Sequence, residues 1–275
     1  MCTVNSCDPS AAAVPPPDLP DPLRRRFLQG LAILPLATVL YYPELARAQA
    51  MRMSRGSLPL VGGNNLPYAE ALPSATKAPV VILIHEWWGL NDQILAVTQE
   101  FANQGFVALA VDLYDGKVAK SPEEAKNLTG SIDIAATTAK LKSIIDFARN
   151  HPRGNGKVGT IGWCFGGGWS LAGSIAAPVE ATVIYYGRCT QKSAELATLK
   201  GPVLGHFGTE DKGINQAMVA GFEAEMKLAQ KDLTVHWYPA NHAFANPSSA
   251  NYNEASARLS WERSLGFLKS NLSGG

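Results

Sequence analysis

The sequence is poor in cysteine, and its cysteines lack the spacing of a metal site or a redox pair. Four of the 275 residues are cysteine. None forms a Cys-x-x-Cys pair, which disfavours a disulfide oxidoreductase, and no cluster has the spacing of metal ligands. Cys2 and Cys7 precede the predicted folded domain, so Cys164 and Cys189 are the two thiols within it. The sequence therefore predicts no metal site and no cofactor.

Long runs of one charge sign are absent as well. The formal net charge is +1, so the composition does not favour binding to nucleic acid or electrostatic attachment to a membrane surface. A small-molecule substrate is the partner that we expect. With 46% hydrophobic residues, the chain is long and apolar enough to bury one large core.

The first 50 residues lack the pattern of a folded domain. Residues 1–22 contain alanine and proline runs, and we expect them to be disordered. A basic cluster, an apolar stretch at 30–40 and small-x-small sites that end at Ala48 and Ala50 follow in the order of a secretory signal. The apolar stretch is too short and too broken by glycine and proline for a clear membrane span. We therefore predict a cleavable export signal within residues 1–50, with an uncleaved membrane anchor as the alternative.

The basic cluster refines this expectation. Arg24-Arg25-x-Phe27-Leu28 resembles the twin-arginine export motif, although Leu23 stands where that motif usually has Ser or Thr. The resemblance implies the twin-arginine machinery as a partner and a periplasmic or secreted location. After cleavage near Ala48 or Ala50, no stable membrane insertion is expected.

Residues 51–275 alternate between apolar strands and amphipathic helices. Strands are predicted at 79–85, 106–111, 157–162, 181–186, 202–207 and 233–238, with a short edge strand at 66–72 and a charged loop after residue 114. Helices are predicted at 91–104, 132–150, 169–176, 216–230 and 254–271. This alternation predicts a single α/β domain with a mostly parallel central sheet and helices on both faces, and the chain order of the candidate site residues below assigns this domain to the α/β-hydrolase type.

A Gly-x-Cys-x-Gly motif at 162–166 lies between a predicted strand and a predicted helix. It is the thiol version of the nucleophile elbow, a turn so tight that Gly162 and Gly166 must have almost no side chain. The turn is expected to present the Cys164 sulfur at the carboxyl end of a central strand, above the positive end of the next helix. The alternative is a buried structural thiol in a glycine-rich turn.

A catalytic thiol needs a base and an acid that orients the base. Asp211 follows the strand at 202–207 and is preferred to Glu210, and His242 follows the strand at 233–238. Nucleophile, acid and histidine then come in the chain order of α/β-hydrolases. The other four histidines lie within strands, at a helix end or before the thiol, where a structural role is expected.

The loop after the first central strand is expected to pass beside the elbow. Glu86 in this loop is a candidate second base, with an ion pair in a structural network as the alternative. The backbone N–H groups of Trp87 and Phe165 are the expected oxyanion-hole donors.

Four segments together resemble the dienelactone hydrolase family: 85–89, 112–114, 162–167 and 242–244. The resemblance extends from about Lys77 to Leu272. It implies hydrolysis of an enol-lactone through an acyl-thioester on Cys164, with His242 as base and acid. It also implies that Glu86 deprotonates the thiol when substrate displaces this carboxylate from an ion pair.

One position departs from the family pattern. Family members that act on dienelactone hold the substrate carboxylate with arginines, and Asn246 stands where one of them is expected. Asparagine cannot form a bidentate charged pair with a carboxylate. With Trp88, Tyr114 and Trp163 as further substrate-binding candidates, the pocket is expected to favour an apolar acyl group. Three hypotheses stay open: a lactone hydrolase, a general carboxyl-ester or thioester hydrolase, and a non-catalytic binding protein, which the complete triad disfavours.

Overall fold

The structure is a computed structural model that describes residues 19–29 and 36–273. The strands within these ranges are β1 (Ser54–Pro59), β2 (Asn65–Ala71), β3 (Ala78–Ile84), β4 (Val107–Val111), β5 (Gly154–Trp163), β6 (Ala181–Tyr185), β7 (Val203–Gly208) and β8 (Leu233–Tyr238). The helices are α1 (Asp21–Leu28), α2 (Leu36–Tyr41), α3 (Pro43–Ala50), α4 (Asp92–Asn103), α5 (Pro122–Gly130), α6 (Ile134–Arg149), α7 (Phe165–Ala176), α8 (Ser193–Leu196), α9 (Gln216–Leu228) and α10 (Glu254–Leu272).

One eight-stranded sheet runs through the domain in the order β1-β2-β4-β3-β5-β6-β7-β8. The pairs β1–β2 and β2–β4 are antiparallel, and every later pair from β4 to β8 is parallel. The carboxyl ends of β3 to β8 therefore meet at one edge of the sheet, where the loops that follow them come together. The predicted mostly parallel sheet is confirmed.

Helices cover both faces of this sheet. Along β3 the side chains alternate between two cores, and all of those from Val80 to Ile84 are fully buried. Phe101 of α4 and Leu268 of α10 belong to one core, and Ile144 of α6 belongs to the other. Burial on both faces explains why β3 is a continuous apolar run and not an alternating pattern.

The prediction of an edge strand at 66–72 is wrong in its position within the sheet. The strand is β2, which pairs with β1 on one side and with β4 on the other. The edge strand on this side of the sheet is β1, and β8 is the edge strand on the other side. The β1 sequence Ser-Arg-Gly-Ser-Leu-Pro has one large apolar residue and leaves most of its side chains exposed. A strand of this composition gives no strong periodic signal.

The predicted charged loop after residue 114 contains a helix, α5. Ser121 caps its amino terminus by accepting a hydrogen bond of 3.2 Å from the N–H of Glu124, and Pro122 occupies the first position. One residue of α5, Ala125, is fully buried, and it packs with Trp87 and Ala119. Because α5 buries so little, its sequence lacks the apolar periodicity of a helix that packs on a core.

The packed region extends upstream of residue 51, the predicted start of the domain. Leu45, Ala46 and Ala50 of α3 are buried in the same core as α4, and Arg24 of α1 is 2.6 Å from Glu44. Disorder is predicted for residues 1–22, of which 1–18 lie outside the described residues, as does part of the apolar stretch at 30–40; the prediction is wrong for Asp21 and Pro22, which begin α1. No helix in the described ranges has the length and apolar character to cross a membrane. Export and cleavage stay predictions.

Candidate active site

The turn between β5 and α7 has the geometry predicted for an elbow. Cys164 lies between the two elements with φ 54° and ψ −116°, a region that non-glycine residues rarely adopt. A Cβ on Gly162 would lie 2.0 Å from the carbonyl oxygen of Gly166, and one on Gly166 would lie 2.2 Å from the carbonyl oxygen of Ile84. Backbone therefore packs directly on backbone at this turn, and glycine is required at both positions.

The strand register brings three polar side chains to the same level of the sheet edge. Ile84, Gly162 and Ile184 are neighbours across β3, β5 and β6. Two residues further along these three strands lie Glu86, Cys164 and Tyr186. All three are buried, with Cys164 5% exposed. The thiol thus sits between a carboxylic acid and a phenol that neighbouring strands supply.

The acid and the histidine that follow β7 and β8 are bonded to each other. Asp211 Oδ2 lies 2.6 Å from Nδ1 of His242, and Asp211 Oδ1 accepts hydrogen bonds of 2.8 and 2.9 Å from the N–H groups of Gly213 and Ile214. Burial by itself would raise the pKa of Asp211, but the bond from His242 and the two backbone donors hold this pKa below its ordinary value. Glu210, the competing candidate, is exposed.

Tyr186 is a site residue that sequence reasoning missed. It is fully buried, has φ 37°, and its ring centroid lies 5.1 Å from that of His242. Its hydroxyl donates a hydrogen bond of 3.5 Å to Oε1 of Glu86. Burial, followed by the charge of Glu86, raises the pKa of Tyr186 well above its usual value. The sequence feature that could have identified Tyr186 is its position directly after β6, the strand that pairs with β5 before the elbow.

Glu86 is held by an amide. Asn246 Nδ2 donates a hydrogen bond of 2.6 Å to Oε2 of Glu86, and both side chains are buried. Asn246 Oδ1 accepts from the N–H of Ser248 at 2.8 Å, which fixes the direction of the amide and leaves its NH₂ facing the carboxylate. The residue at the position of the expected arginine therefore contacts Glu86, but it brings no positive charge.

The predicted aromatic residues occupy two environments. Trp87 and Trp88 contact each other with ring centroids 5.0 Å apart, and the Trp88 carbonyl accepts a hydrogen bond from Ala119 in the segment that leads to α5. Tyr114 is buried, and its hydroxyl lies 3.1 Å from Oγ1 of Thr129 in α5. The ring of Trp163, by contrast, packs at 5.6 Å from that of Tyr185 in the core.

The second thiol of the domain is separate from this group. Cys189 is buried and free, its Sγ donates to the carbonyl oxygen of Gly187 at 3.3 Å, and burial raises its pKa to about 12. Cys164 and Cys189 are not joined in a disulfide. Within residues 19–29 and 36–273, no three histidine, cysteine or acidic side chains are grouped as metal ligands.

A nucleophile-type elbow after a central parallel strand, with a bonded acid and histidine after two later strands, defines the α/β-hydrolase class. Comparison with known proteins narrows this class. The model of the dienelactone hydrolase family matches residues 68–272, and the chain belongs to this family. The resemblance predicted from the sequence motifs is therefore confirmed.

Individual relatives cover most of the chain. A carboxymethylenebutenolidase from Pseudomonas putida is 32% identical over 211 residues, which cover 71% of this chain and 87% of the relative. The carboxymethylenebutenolidase of Pseudomonas sp. strain P51 is 31% identical over 229 residues, which cover 78% of this chain and 93% of the relative. A crystal structure of a protein from Klebsiella pneumoniae, described as a dienelactone hydrolase, superposes on this chain with a TM-score of 0.70 at 27% sequence identity. The superposition covers 78% of this chain and 98% of the Klebsiella chain. The chain is thus a carboxylic-ester hydrolase of the carboxymethylenebutenolidase type.

Proposed function

We propose that the chain hydrolyses a lactone or ester through an acyl-thioester on Cys164. The observation that carries this proposal is the 2.6 Å contact between His242 Nδ1 and Asp211 Oδ2 at the sheet edge where the elbow presents Cys164. A histidine whose Nδ1–H is given to a carboxylate presents Nε2 as the basic atom. This is the arrangement that a thiol nucleophile needs in order to lose and regain a proton.

In the proposed acylation step, the Cys164 sulfur attacks the carbonyl carbon of the ester, and the carbonyl electron pair moves to oxygen. The N–H groups of Trp87 and Phe165 stabilise this oxyanion. When the tetrahedral intermediate collapses, the C–O bond to the leaving group breaks and His242 supplies the proton. In the deacylation step, His242 removes a proton from water, which attacks the thioester and releases the acid and the thiol.

Glu86 is the proposed second base, following the family resemblance. Its carboxylate belongs to the same buried group as Cys164 and is held by Asn246 at 2.6 Å and by Tyr186 at 3.5 Å. We propose that a bound substrate displaces Glu86 from Asn246, after which the carboxylate takes the thiol proton and passes it to His242, which delivers it to the leaving group. The resting thiol would then keep its proton, which protects a cysteine from oxidation in an exported protein.

The contact between Asn246 and Glu86 favours the second candidate, a general carboxyl-ester hydrolase with neutral substrates. A carboxylate on the substrate would have to approach a buried acid whose partner on one oxygen is an uncharged amide. Trp88 and Tyr114 are aromatic side chains beside α5 and the segment that leads to it. A neutral aryl or alkyl ester matches these surroundings better than an anionic lactone, because a buried anion needs a paired charge.

The substrate preference is testable with two substrates and one substitution. We expect native protein to cleave a small neutral aryl ester with higher kcat/KM than dienelactone, which carries a carboxylate. Asn246→Arg should raise the ratio of dienelactone to aryl-ester kcat/KM by about tenfold or more, since a charge-assisted hydrogen bond contributes about 1.5–3 kcal/mol. Asn246→Gln lengthens the side chain without charge and should leave this ratio near the native value.

Each outcome decides a different part of the proposal. Dienelactone turnover above that of the neutral ester in native protein would overturn the preference for neutral substrates. Turnover of neither substrate would favour the non-catalytic binding protein.

We also propose that the protein is exported by the twin-arginine machinery and cleaved near Ala48 or Ala50. The support is the sequence pattern, together with the exposure of Arg25 and Arg26 in α1. Amino-terminal sequencing of protein from the periplasm or the medium is expected to start within a few residues of Gln49. A mature protein that still begins at Met1 would contradict cleavage and support the membrane anchor.

A further inference from the structure

His85 lies at the end of β3, and both of its ring nitrogens contact backbone. Its Nδ1 is 2.6 Å from the carbonyl oxygen of Glu86, and its Nε2 accepts a hydrogen bond of 3.2 Å from the N–H of Leu113. The side chain is fully buried, with 0% exposure. The imidazole thus bridges the loop after β3 and the loop after β4.

These two contacts define the tautomer. The N–H of Leu113 can act only as a donor, so Nε2 of His85 must present its lone pair, and the proton of a neutral imidazole must reside on Nδ1. Nδ1–H therefore donates to the carbonyl of Glu86. Burial lowers the pKa of His85 and outweighs the opposing effects of that carbonyl and of Asp112, so the ring is neutral at physiological pH.

The Glu86 carbonyl belongs to the same peptide unit as the N–H of Trp87. A trans peptide is planar, with its C=O and N–H pointing in opposite directions, and none of the described peptide bonds is cis. A donor that fixes the direction of the Glu86 oxygen therefore also fixes the direction of the Trp87 N–H. The N–H of Gly89 donates to the same Glu86 oxygen at 3.1 Å, so His85 is its side-chain donor beside one backbone donor. Rotation of this peptide would leave the buried Nδ1–H of His85 without its acceptor.

The ring of His85 is itself held in place by packing. It stacks on Phe165 with centroids 5.8 Å apart and planes 16° apart, and it contacts Tyr114 at 4.8 Å. Phe165 supplies the other proposed oxyanion donor through its backbone. One side chain therefore contacts the peptide unit of the first donor and the residue of the second.

We propose that His85 is a positioning residue that locks the Glu86–Trp87 peptide in the orientation needed for oxyanion binding. This inference rests on the proposed function, because it assigns the Trp87 N–H to the oxyanion hole. His85 does not touch the substrate; it acts through the backbone of its neighbour.

Two substitutions separate the two hydrogen bonds. His85→Asn places an amide where Nδ1 was and retains a donor for the Glu86 carbonyl. His85→Gln reaches the position of Nε2 and retains an acceptor for Leu113, but it loses the short bond to Glu86. We expect His85→Gln to lower kcat for an aryl ester by about 10²–10³-fold with little change in KM, as for loss of an oxyanion donor. His85→Asn should retain at least about tenfold more activity than His85→Gln.

Alkylation of Cys164 by iodoacetamide separates positioning from general damage. The sulfur displaces iodide from a saturated carbon, so the reaction needs the thiol and its base but develops no oxyanion. His85→Gln is expected to keep an alkylation rate within about threefold of native while ester turnover falls. Peptide mapping assigns the adduct to Cys164, and a thermal melt reports the stability of each variant.

Three outcomes would overturn this inference. They are native-like turnover in His85→Gln, an equal loss in His85→Asn and His85→Gln, and a parallel fall of turnover, alkylation and Tm, which would show a merely structural role. Failure of the proposed function looks different. In that case Cys164→Ala keeps its activity, whatever the His85 variants do.

Discussion

Replacing Cys164 with alanine is expected to lower kcat/KM for a neutral aryl ester by more than about 10⁴-fold. The substitution removes the sulfur that the elbow holds at φ 54°, while His242 and Asp211 keep their contact. Without the nucleophile, the remaining groups can bind substrate and orient water but cannot form an acyl-enzyme. Initial rates measured across a range of substrate concentrations give the loss directly.

Cys189→Ala is the matched control for this prediction. Cys189 is the other buried cysteine of the domain, but burial raises its pKa to about 12 and its sulfur donates to the Gly187 carbonyl. We expect this variant to keep turnover within a few-fold of native, with a modest loss of stability from the lost packing.

Acid-quenched mass spectrometry should find an acyl adduct on the peptide that contains Cys164 in native protein. The same adduct should be absent from Cys164→Ala. Turnover that survives in Cys164→Ala would show that another group is the nucleophile.

Replacing Gly162 with alanine is expected to destabilise the fold by at least about 3 kcal/mol. The new Cβ would lie 2.0 Å from the carbonyl oxygen of Gly166, 2.3 Å from its carbonyl carbon and 2.9 Å from the N–H nitrogen of Gly167. All three atoms are backbone, so no side chain can rotate away, and either β5 or the first turn of α7 must shift. Urea denaturation measures the loss, and aryl-ester turnover should fall with it because the elbow carries Cys164.

Gly266→Ala provides the comparison within the same fold. Gly266 lies in α10, and a Cβ there would meet nothing within 4 Å. Alanine is the better helix former, so this variant should be more stable than native by up to about 1 kcal/mol. Equal stability of Gly162→Ala and native protein would mean that the elbow can relax, and the argument for glycine at this position would fail.

The central sheet was predictable from sequence because its strands are buried on both faces. The sequence of such a strand is a continuous run of apolar residues, and glycine residues or charged loops mark its ends. Two of the elements that escaped prediction, β1 and α5, bury little. β1 exposes most of its residues, and α5 buries Ala125 alone among its nine. Where burial does not constrain the sequence, the periodic pattern of apolar residues disappears. The position of β1 in the sheet and the helix α5 therefore could not be predicted.

The site was predictable to the extent that chain order constrains it. Cys164, Asp211 and His242 follow β5, β7 and β8, and the carboxyl ends of parallel strands in one sheet lie at the same edge. The contact between Glu86 and Asn246 joins residues 160 positions apart. Nothing in local sequence specifies such a pair. Tyr186 was missed for another reason: tyrosine at a strand end is ordinary, and its role depends on the register of β6 with β5.

The segment from Asp115 to Ser131 is separate from the polar groups of the site. The polar groups of the site stand at the ends of strands, whereas α5 and the segment before it meet Trp87, Trp88 and Tyr114 from outside the sheet. Under the proposed function, substitutions in this segment are expected to change which acyl groups bind, because Trp88 and Tyr114 contact it while the thiol and the bonded acid and histidine lie outside it. Protein engineering of substrate range could therefore vary this segment of 17 residues while keeping Ala119 and Ala125, which pack on Trp87.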